Sequence, residues 1–272
     1  AVQGVIAERE TSSTRVSDGT TVQPQGDFNG VNPRIGFVWN LAETAAVYAN
    51  LSRLYEPPTM FELQDDERGS NEPLDAMHGE VIELGSRGSQ RLGDNGQWLW
   101  DVAVYYARIQ DEIMSRDDPT TPGTSLSYNV DNTVHAGIGA LCTGQFQVGD
   151  SSGFTLEPTL SLTLNHFRFD DDPQYQDNDL PAAPDYAVRA ELMLRHVSGY
   201  YVGPTIDLIG ERWADFANTY KVDGYELLGL RSGYDAKVWR LFVEVQNLLN
   251  EDYIATHSVR DRADADATCF GH

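Results

Sequence analysis

Thr155-Leu156-Glu157-Pro158-Thr159-Leu160-Ser161-Leu162-Thr163-Leu164-Asn165 carries the reading that decides the fold. Every even position is Leu or Pro, and every odd position is polar. A helix would scatter these leucines around its circumference, whereas a β-strand points successive side chains to opposite faces and collects them on one. The stretch predicts a strand with one apolar face.

Working outward, the same period of two recurs on both sides. Val188, Ala190, Leu192 and Leu194 oppose Arg189, Glu191 and Arg195; Tyr200, Val202, Pro204, Ile206 and Leu208 oppose Gly203, Thr205 and Asp207. Trp239, Leu241, Val243 and Val245 oppose Arg240, Glu244 and Gln246. Toward the start, Ile35, Phe37, Trp39 and Leu41 form one parity, followed by Ala45, Val47, Ala49 and Leu51. Further strands are expected at 2–13, 79–90, 98–109, 135–148 and 224–234. The total is about eleven, most of them long for a globular sheet. The predicted fold class is all-β and antiparallel.

Composition narrows the function. Nineteen Lys plus Arg against 42 Asp plus Glu give a formal charge of −23 over 272 residues. Such a chain repels phosphate backbones, which excludes a nucleic-acid binder. Thirteen Tyr, ten Phe, five Trp and 24 Gly favour strands and turns over helices. Two cysteines, Cys142 and Cys269, make neither a disulfide scaffold nor a zinc pattern. No apolar run approaches the roughly 18 residues of a spanning helix, and Ala1-Val2-Gln3-Gly4 does not open a signal peptide.

Alternation alone is shared by a β-sandwich, which hides its apolar face in a core, and by an up-and-down membrane barrel, which shows that face to lipid. Connection lengths separate them. Short gaps at 42–43, 91–97, 149–153, 198–199 and 236–237 alternate with long ones at 17–31, 56–78, 110–134, 168–185 and 213–223. Short turns on one side and long loops on the other are the barrel pattern. Trp39, Tyr55, Trp98, Trp100, Tyr200, Tyr201, Trp213, Tyr225, Tyr234 and Trp239 lie near strand ends, where an aromatic belt would meet the headgroups. Single-chain bacterial barrels close with even strand numbers, so about eleven strands predicts an incomplete barrel.

Specific residues resemble the TonB-dependent outer-membrane receptors. These are Asn32-Pro33-Arg34-Ile35-Gly36-Phe37-Val38-Trp39; Val47-Tyr48-Ala49-Asn50-Leu51-Ser52-Arg53, with Tyr55-Glu56-Pro57-Pro58-Thr59 after it; and Ile82-Glu83-Leu84-Gly85. Trp100-Asp101-Val102-Ala103-Val104-Tyr105-Tyr106, Trp213-Ala214-Asp215-Phe216-Ala217-Asn218-Thr219 and Glu244-Val245-Gln246-Asn247-Leu248-Leu249-Asn250-Glu251-Asp252-Tyr253 follow in the family's order. The resemblance implies a multi-pass outer-membrane protein of a Gram-negative bacterium that takes up a scarce ligand, driven by TonB through a plug domain. It implies no enzyme and no cofactor. Residues 1–272 would be roughly the C-terminal half of a 22-strand barrel, without plug or final strand, ending at Phe270-Gly271-His272. By family frequency the ligand would be a ferric siderophore or ferric citrate. Cobalamin or an oligosaccharide is the alternative within the class, with a passive porin and a soluble β-sandwich binding module outside it.

Ligand contacts are expected among polar and aromatic residues at outer strand ends: Arg53, Tyr55, Arg212, Trp213 and Asn218. The arginines suit an anionic ferric chelate, although pairing across strands with lumen carboxylates such as Glu211 is the plainer explanation of Arg53 and Arg212. Asp170-Asp171-Asp172, with Asp177 and Asp179, has the hard oxygens calcium needs, but no EF-hand spacing, so a solvated, charged loop is the plainer reading, and bridging to lipopolysaccharide through divalent ions stands between the two. The six histidines show no metal-pair spacing, and no metal site is assigned. Gly137-Ile138-Gly139 lies within an alternating strand, as does Cys142 on its apolar parity.

Overall fold

The structure, a computed structural model, describes residues 1–263 apart from 15–18, 20, 67–72, 119–120, 122–123 and 150–151. Cys269 and the expected approach to a last strand at Phe270-Gly271-His272 lie outside the described residues. In chain order the elements are β1 (Val2–Glu10), β2 (Ser13–Thr14), β3 (Thr21–Val22), β4 (Gln25–Ala42), β5 (Ala45–Glu56), α1 (Met60–Gln64), β6 (Met77–Arg91), β7 (Gly96–Asp117) and β8 (Ser125–Val148). There follow β9 (Phe154–Phe169), β10 (Tyr186–His196), β11 (Tyr200–Ile209), β12 (Arg212–Trp213), β13 (Lys221–Val222), β14 (Tyr225–Asp235) and β15 (Arg240–Val245).

Eleven strands form one antiparallel sheet in the order β1-β4-β5-β6-β7-β8-β9-β10-β11-β14-β15. Each strand pairs with its neighbour in sequence, as expected of an up-and-down barrel wall. The four remaining strands make two small ribbons, β2-β3 and β12-β13, in the long connections. Because the strand number is odd, edge strands β1 and β15 run in the same direction. Closing the sheet with antiparallel bonds throughout therefore takes an odd number of further strands, and a second copy of this wall would meet it parallel.

Register turns the alternation into two continuous faces. Phe37 stands opposite Ala49, Ala49 opposite Leu84, Leu84 opposite Val104, Val104 opposite Ile138, and Ile138 opposite Leu164. Leu160, Ala190, Ile206 and Leu228 continue a neighbouring row. Among the described residues no second layer covers this face: Phe37 is 63 % exposed, Leu84 50 % and Leu241 61 %. An apolar surface of that extent is unstable in water, at about 25 cal/mol per Å², which leaves hydrocarbon as its solvent. Cys142 belongs to it, between Trp100 and Leu160.

The other face carries an ion-pair lattice. Arg231 grips Glu244 through two nitrogens, at 3.1 and 3.2 Å, and reaches Glu191 at 3.0 Å. Arg189 joins Glu191 to Asp207, and Arg195 joins Glu157 at 3.2 Å to Asp235 at 2.7 Å. These contacts cross-brace β9 to β15 on the side expected to face a lumen.

Several expectations are corrected. β4, β7 and β8 start or end about ten residues farther out than alternation indicated, so the loops expected at 17–31 and 110–134 are partly strand. Beyond the apolar band the alternation lapses although the ladder continues, and apolar residues there, such as Phe28 and Val130, are buried. The aromatic belt also splits. Trp98, against Phe146, and the group Tyr200, Tyr234 and Trp239 stand at the short-turn end, with Tyr234 centred 4.5 Å from Tyr200 and 5.4 Å from Trp239. Tyr201, however, is buried on the polar face beneath Arg195, because it follows Tyr200 by one residue and so takes the opposite parity. Trp213 is drawn into the long loops. Gly137 makes room for Tyr105, whose hydroxyl would stand 2.5 Å from an added Cβ, while Gly139 has open space around it. The Asn-Leu-Leu-Asn segment is not strand: Asn247 and Asn250 are left-handed (φ 54° and 56°) and end β15 in a turn.

An arginine at Leu164, near the middle of the apolar band, should cost about 2–4 kcal/mol of folding stability in lipid. Thr163→Arg, next door on the polar face opposite the uncrowded Gly139, should cost less than about 1 kcal/mol. Urea unfolding of the vesicle-embedded receptor carrying this chain checks the pair. Equal losses would mean the faces are not divided between lipid and water.

Candidate ligand site at the long-loop end

The buried core of this chain sits at one end of its polar face, under the long loops. Val130, Phe169, Tyr175, Leu180 and Phe216 form it, with Phe169 fully buried and Phe216 2 % exposed. Three rings meet there at 5.0 to 5.9 Å between centroids: Phe169 with Tyr175, Tyr175 with Phe216, Phe169 with Phe216. Since β9 has its leucines on even positions, Phe167 and Phe169 fall on the polar face, where a loop must cover them.

Asp215 fixes the connection that does so. Its carboxylate is fully buried. It accepts bonds from Thr219 N at 2.9 Å, the Thr219 hydroxyl, Tyr220 N at 3.2 Å and Ala263 N at 3.0 Å. Unpaired, a buried carboxylate would cost several kcal/mol; four donors turn it into an anchor for the loop and for the segment after β15. That segment crosses the loop end as a strap. Phe216 N donates to Arg260 O and Arg260 N to Ala214 O, while Asp261 takes Arg116 at 2.9 Å and the Tyr175 hydroxyl.

Two cavities open beside this core and share Phe167, Leu180 and Ala183 as a wall. One, of about 250 Å³, is lined by Glu112, Met114, His135, Phe216 and Val259 among others. The second, of about 110 Å³, is lined by Asn165, His166, Asp179, Arg212, Trp213 and Lys221 among others. A larger hollow of about 500 Å³, with Glu43, Arg87 and Asp101, lies at the short-turn end, away from the loops. In the first cavity the Glu112 carboxylate accepts from the Thr133 hydroxyl and contacts His135 Nε2 at 2.9 Å. Parity would place Glu112 with Arg108 on the apolar face; left-handed Asp111 (φ 53°) intervenes and turns the strand over, while the pairing register with β8 is kept on both sides of it.

Three of the five expected contacts come together. Trp213 donates its indole N–H to Asp179 Oδ2 at 3.2 Å and lies under the Lys221 ammonium, 4.7 Å from the ring centre. Left-handed Asn218 clips two loops, donating to the Asp179 carbonyl at 2.9 Å and accepting from Asp179 N at 2.8 Å. Arg212 is buried and donates to the carbonyls of Ile254 at 2.6 Å and Ala255 at 3.2 Å. Glu211, named as a partner for it, pairs with Lys221 instead. Tyr55 and Arg53 lie on β5, across the sheet. Tyr55 lies over Gly30, where an added Cβ would overlap its ring, and lines a separate hollow with His78 and Asp111. Arg53 stands opposite Glu80 in the row beyond Leu51 and Ile82.

The acidic run is consumed by local bonds. Asp170 takes Arg108 at 3.0 Å and Arg168 at 3.4 Å, and Asp177 takes Arg168 at 3.0 Å. Asp172 caps Gln174 N and Tyr175 N, each at 2.8 Å. The Glu112 and His135 contact has no sequence signal, since 23 residues separate the two. Thr59-Met60-Phe61-Glu62 did carry one: it is a capping box, with Thr59 N bonded to Glu62 Oε2 at 2.6 Å, and it starts α1.

An unclosed antiparallel wall, apolar outside and ion-paired inside, with a loop-capped site at one end, defines a piece of an outer-membrane-type β-barrel. The sequence model described as TonB dependent receptor-like, beta-barrel matches residues 7–248, and the chain belongs to that family. Members of the family are outer-membrane transport receptors. Solved structures with this fold include the ferric yersiniabactin uptake receptor of Yersinia pestis, at 16 % identity and TM-score 0.63, covering 90 % of this chain and 36 % of that one. A ferric citrate transporter matches at 15 % and 0.66, covering 93 % and 38 %, and a copper transporter at 16 % and 0.65, covering 87 % and 36 %. The chain thus spans a little over a third of these proteins.

His257 tests the strap. Its ring nitrogens are buried without a partner of hydrogen-bonding geometry, and burial, then the Arg212 charge, hold its pKa below the ordinary 6.5. A depressed base binds protons more tightly when exposed, so its stabilisation is present above pH 6.5 and lost as pH falls through the folded value. Amide exchange at 254–263, corrected for intrinsic rates, should speed up between pH 7.5 and 5 in the wild type and much less in His257→Gln. Identical pH profiles for the two would remove His257 from this role.

Proposed function

We propose that this chain is a partial barrel domain, residues 1–272, of an outer-membrane active-transport receptor that imports a ferric siderophore or ferric citrate and is energised through TonB. In this reading the plug and the other strands belong to the rest of the receptor. The odd strand number and the coverage of little more than a third of the solved receptors support that division. The observation that carries the ligand reading is the pair of cavities at the long-loop end, where aromatic walls meet Arg212, Lys221 and His135. A chelate arriving from outside meets this end first.

Each named residue takes a part. Trp213 offers ring surface to the ligand, its N–H being held by Asp179, while Tyr55, two residues beyond Arg53 on β5 and so on the same face, is assigned to the separate hollow beside His78. Arg212 and Asn218 position loops, since their donors are directed at backbone carbonyls. Arg53, on the apolar face opposite Glu80, stands away from both cavities. The 250 Å³ cavity admits part of a chelate, so the rest of the ligand would rest on the remainder of the receptor.

Uptake of radioactive ferric citrate and of ferric siderophores by iron-starved cells producing the whole receptor tests the proposal. Accumulation of at least one chelate is expected to require both the gene and TonB, and Trp213→Ala is expected to weaken cell-surface binding about tenfold, equivalent to about 1.4 kcal/mol. Accumulation of copper, cobalamin or an oligosaccharide, with no ferric chelate taken up, would overturn the ligand class. TonB-independent uptake would make the protein a passive pore.

A further inference from the structure

We infer that the cavity of about 250 Å³ under the long loops takes an apolar ring or chain that ends in a protonated primary amine, with the Glu112 carboxylate as its counter-ion. The inference deepens the ligand site proposed above and rests on that reading. It starts from the lining. Met114, Phe167, Leu180, Phe216 and Val259 supply an apolar and aromatic wall, Glu112 is the one carboxylate, and neither lysine nor arginine contributes. Glu112 and Met114 project from β7, His135 from β8 and Phe167 from β9, while Leu180, Phe216 and Val259 come from the cap. The rigid wall thus holds the charge and the loops close over it.

The bonding of Glu112 shows which atoms stay open. Both of its contacts go to Oε2: the Thr133 hydroxyl donates to it, and His135 Nε2 lies 2.9 Å away. A carboxylate only accepts, so Nε2 carries a proton, and the Nδ1 of a neutral imidazole is then an acceptor. Glu112 Oε1 takes no bond among the described residues. The side chains of Glu112 and His135 are only 16 % and 19 % exposed, and Phe167 packs on the His135 ring at 4.5 Å between centroids. What is left over is acceptor capacity in an apolar surround. An ammonium group, with three donors and no acceptor, is its complement, and the faces of Phe167 and Phe216 attract the same charge.

Other occupants fit less well. An anionic group meets the Glu112 charge and finds no guanidinium or ammonium in the lining. A divalent metal ion needs several oxygen or imidazole ligands, and no group of three or more His, Cys, Asp or Glu side chains could hold one among the described residues. Size agrees with a small aromatic amine: an apolar cavity of about 150 Å³ accepts a benzene ring, so about 250 Å³ has room for a ring with a short aminoalkyl chain. A charge-assisted bond in so dry a site is roughly twice as strong as a neutral one. The imported chelate is therefore a siderophore with a free amine on an apolar arm, a group that citrate lacks.

Saturation-transfer NMR on the full-length receptor in nanodiscs, with empty nanodiscs as the blank, tests the cavity. The probes are phenethylamine, 2-phenylethanol and 3-phenylpropionate, which share a ring and a short chain and differ in charge. Phenethylamine should bind most tightly and 3-phenylpropionate least. Glu112→Gln keeps an acceptor for Thr133 and removes the charge; it should weaken phenethylamine about tenfold, the share of a hydrogen bond to a charged group, and leave 2-phenylethanol nearly unchanged. Ala183→Leu adds bulk to the wall and should weaken phenethylamine and 2-phenylethanol alike, so it reads the cavity even where the Glu112 variant fails to fold. Absence of phenethylamine binding, binding of 3-phenylpropionate as tight as that of the amine, or an amine affinity unmoved by either substitution overturns the proposal. Phenethylamine binding by a receptor that accumulates no ferric chelate would instead overturn the uptake reading and leave the amine site standing.

Discussion

Hydrocarbon on one face of the sheet is the constraint from which the rest follows. In lipid a backbone N–H or C=O without a partner costs several kcal/mol, so each segment must pair along its full length. β4 to β9 show this, with ladders that leave few gaps in register. The same constraint removes polar side chains from one face, and they accumulate on the other. Arg189, Arg195 and Arg231 therefore have no water-exposed exterior to occupy inside the band, and they meet Glu157, Glu191, Asp207, Asp235 and Glu244 across neighbouring strands.

Beyond the band the constraint lapses, and the chain builds a different kind of structure. Strands β7 and β8 continue as a hairpin that contributes Val130, and the long loops fold back on it to make the only tight aromatic core among the described residues. Single side chains hold it: Asp215 gathers two segments, Asn218 clips two loops, and Asp261 ties the strap to Arg116 and Tyr175. Such a cap depends on a few bonds, so it is suited to rearrange around a ligand while the wall stays rigid.

Sequence by itself determined the wall. Leu156 to Leu164 fixed the period, the period fixed the faces, and turn lengths fixed the up-and-down order, because a ladder of alternating side chains is written locally, two residues at a time. Residue motifs placed the chain in its family for the same reason. Only the tertiary structure decided the site. Glu112 reaches His135 because Asp111 adopts a left-handed conformation that its residue type permits without requiring; Arg212 turns to Ile254 and Ala255, far along the chain; Arg53 proves to share a row with Arg108 and Arg168. Contacts of this kind join residues tens of positions apart through loops without periodicity, and no local pattern of hydrophobicity encodes which of them meet.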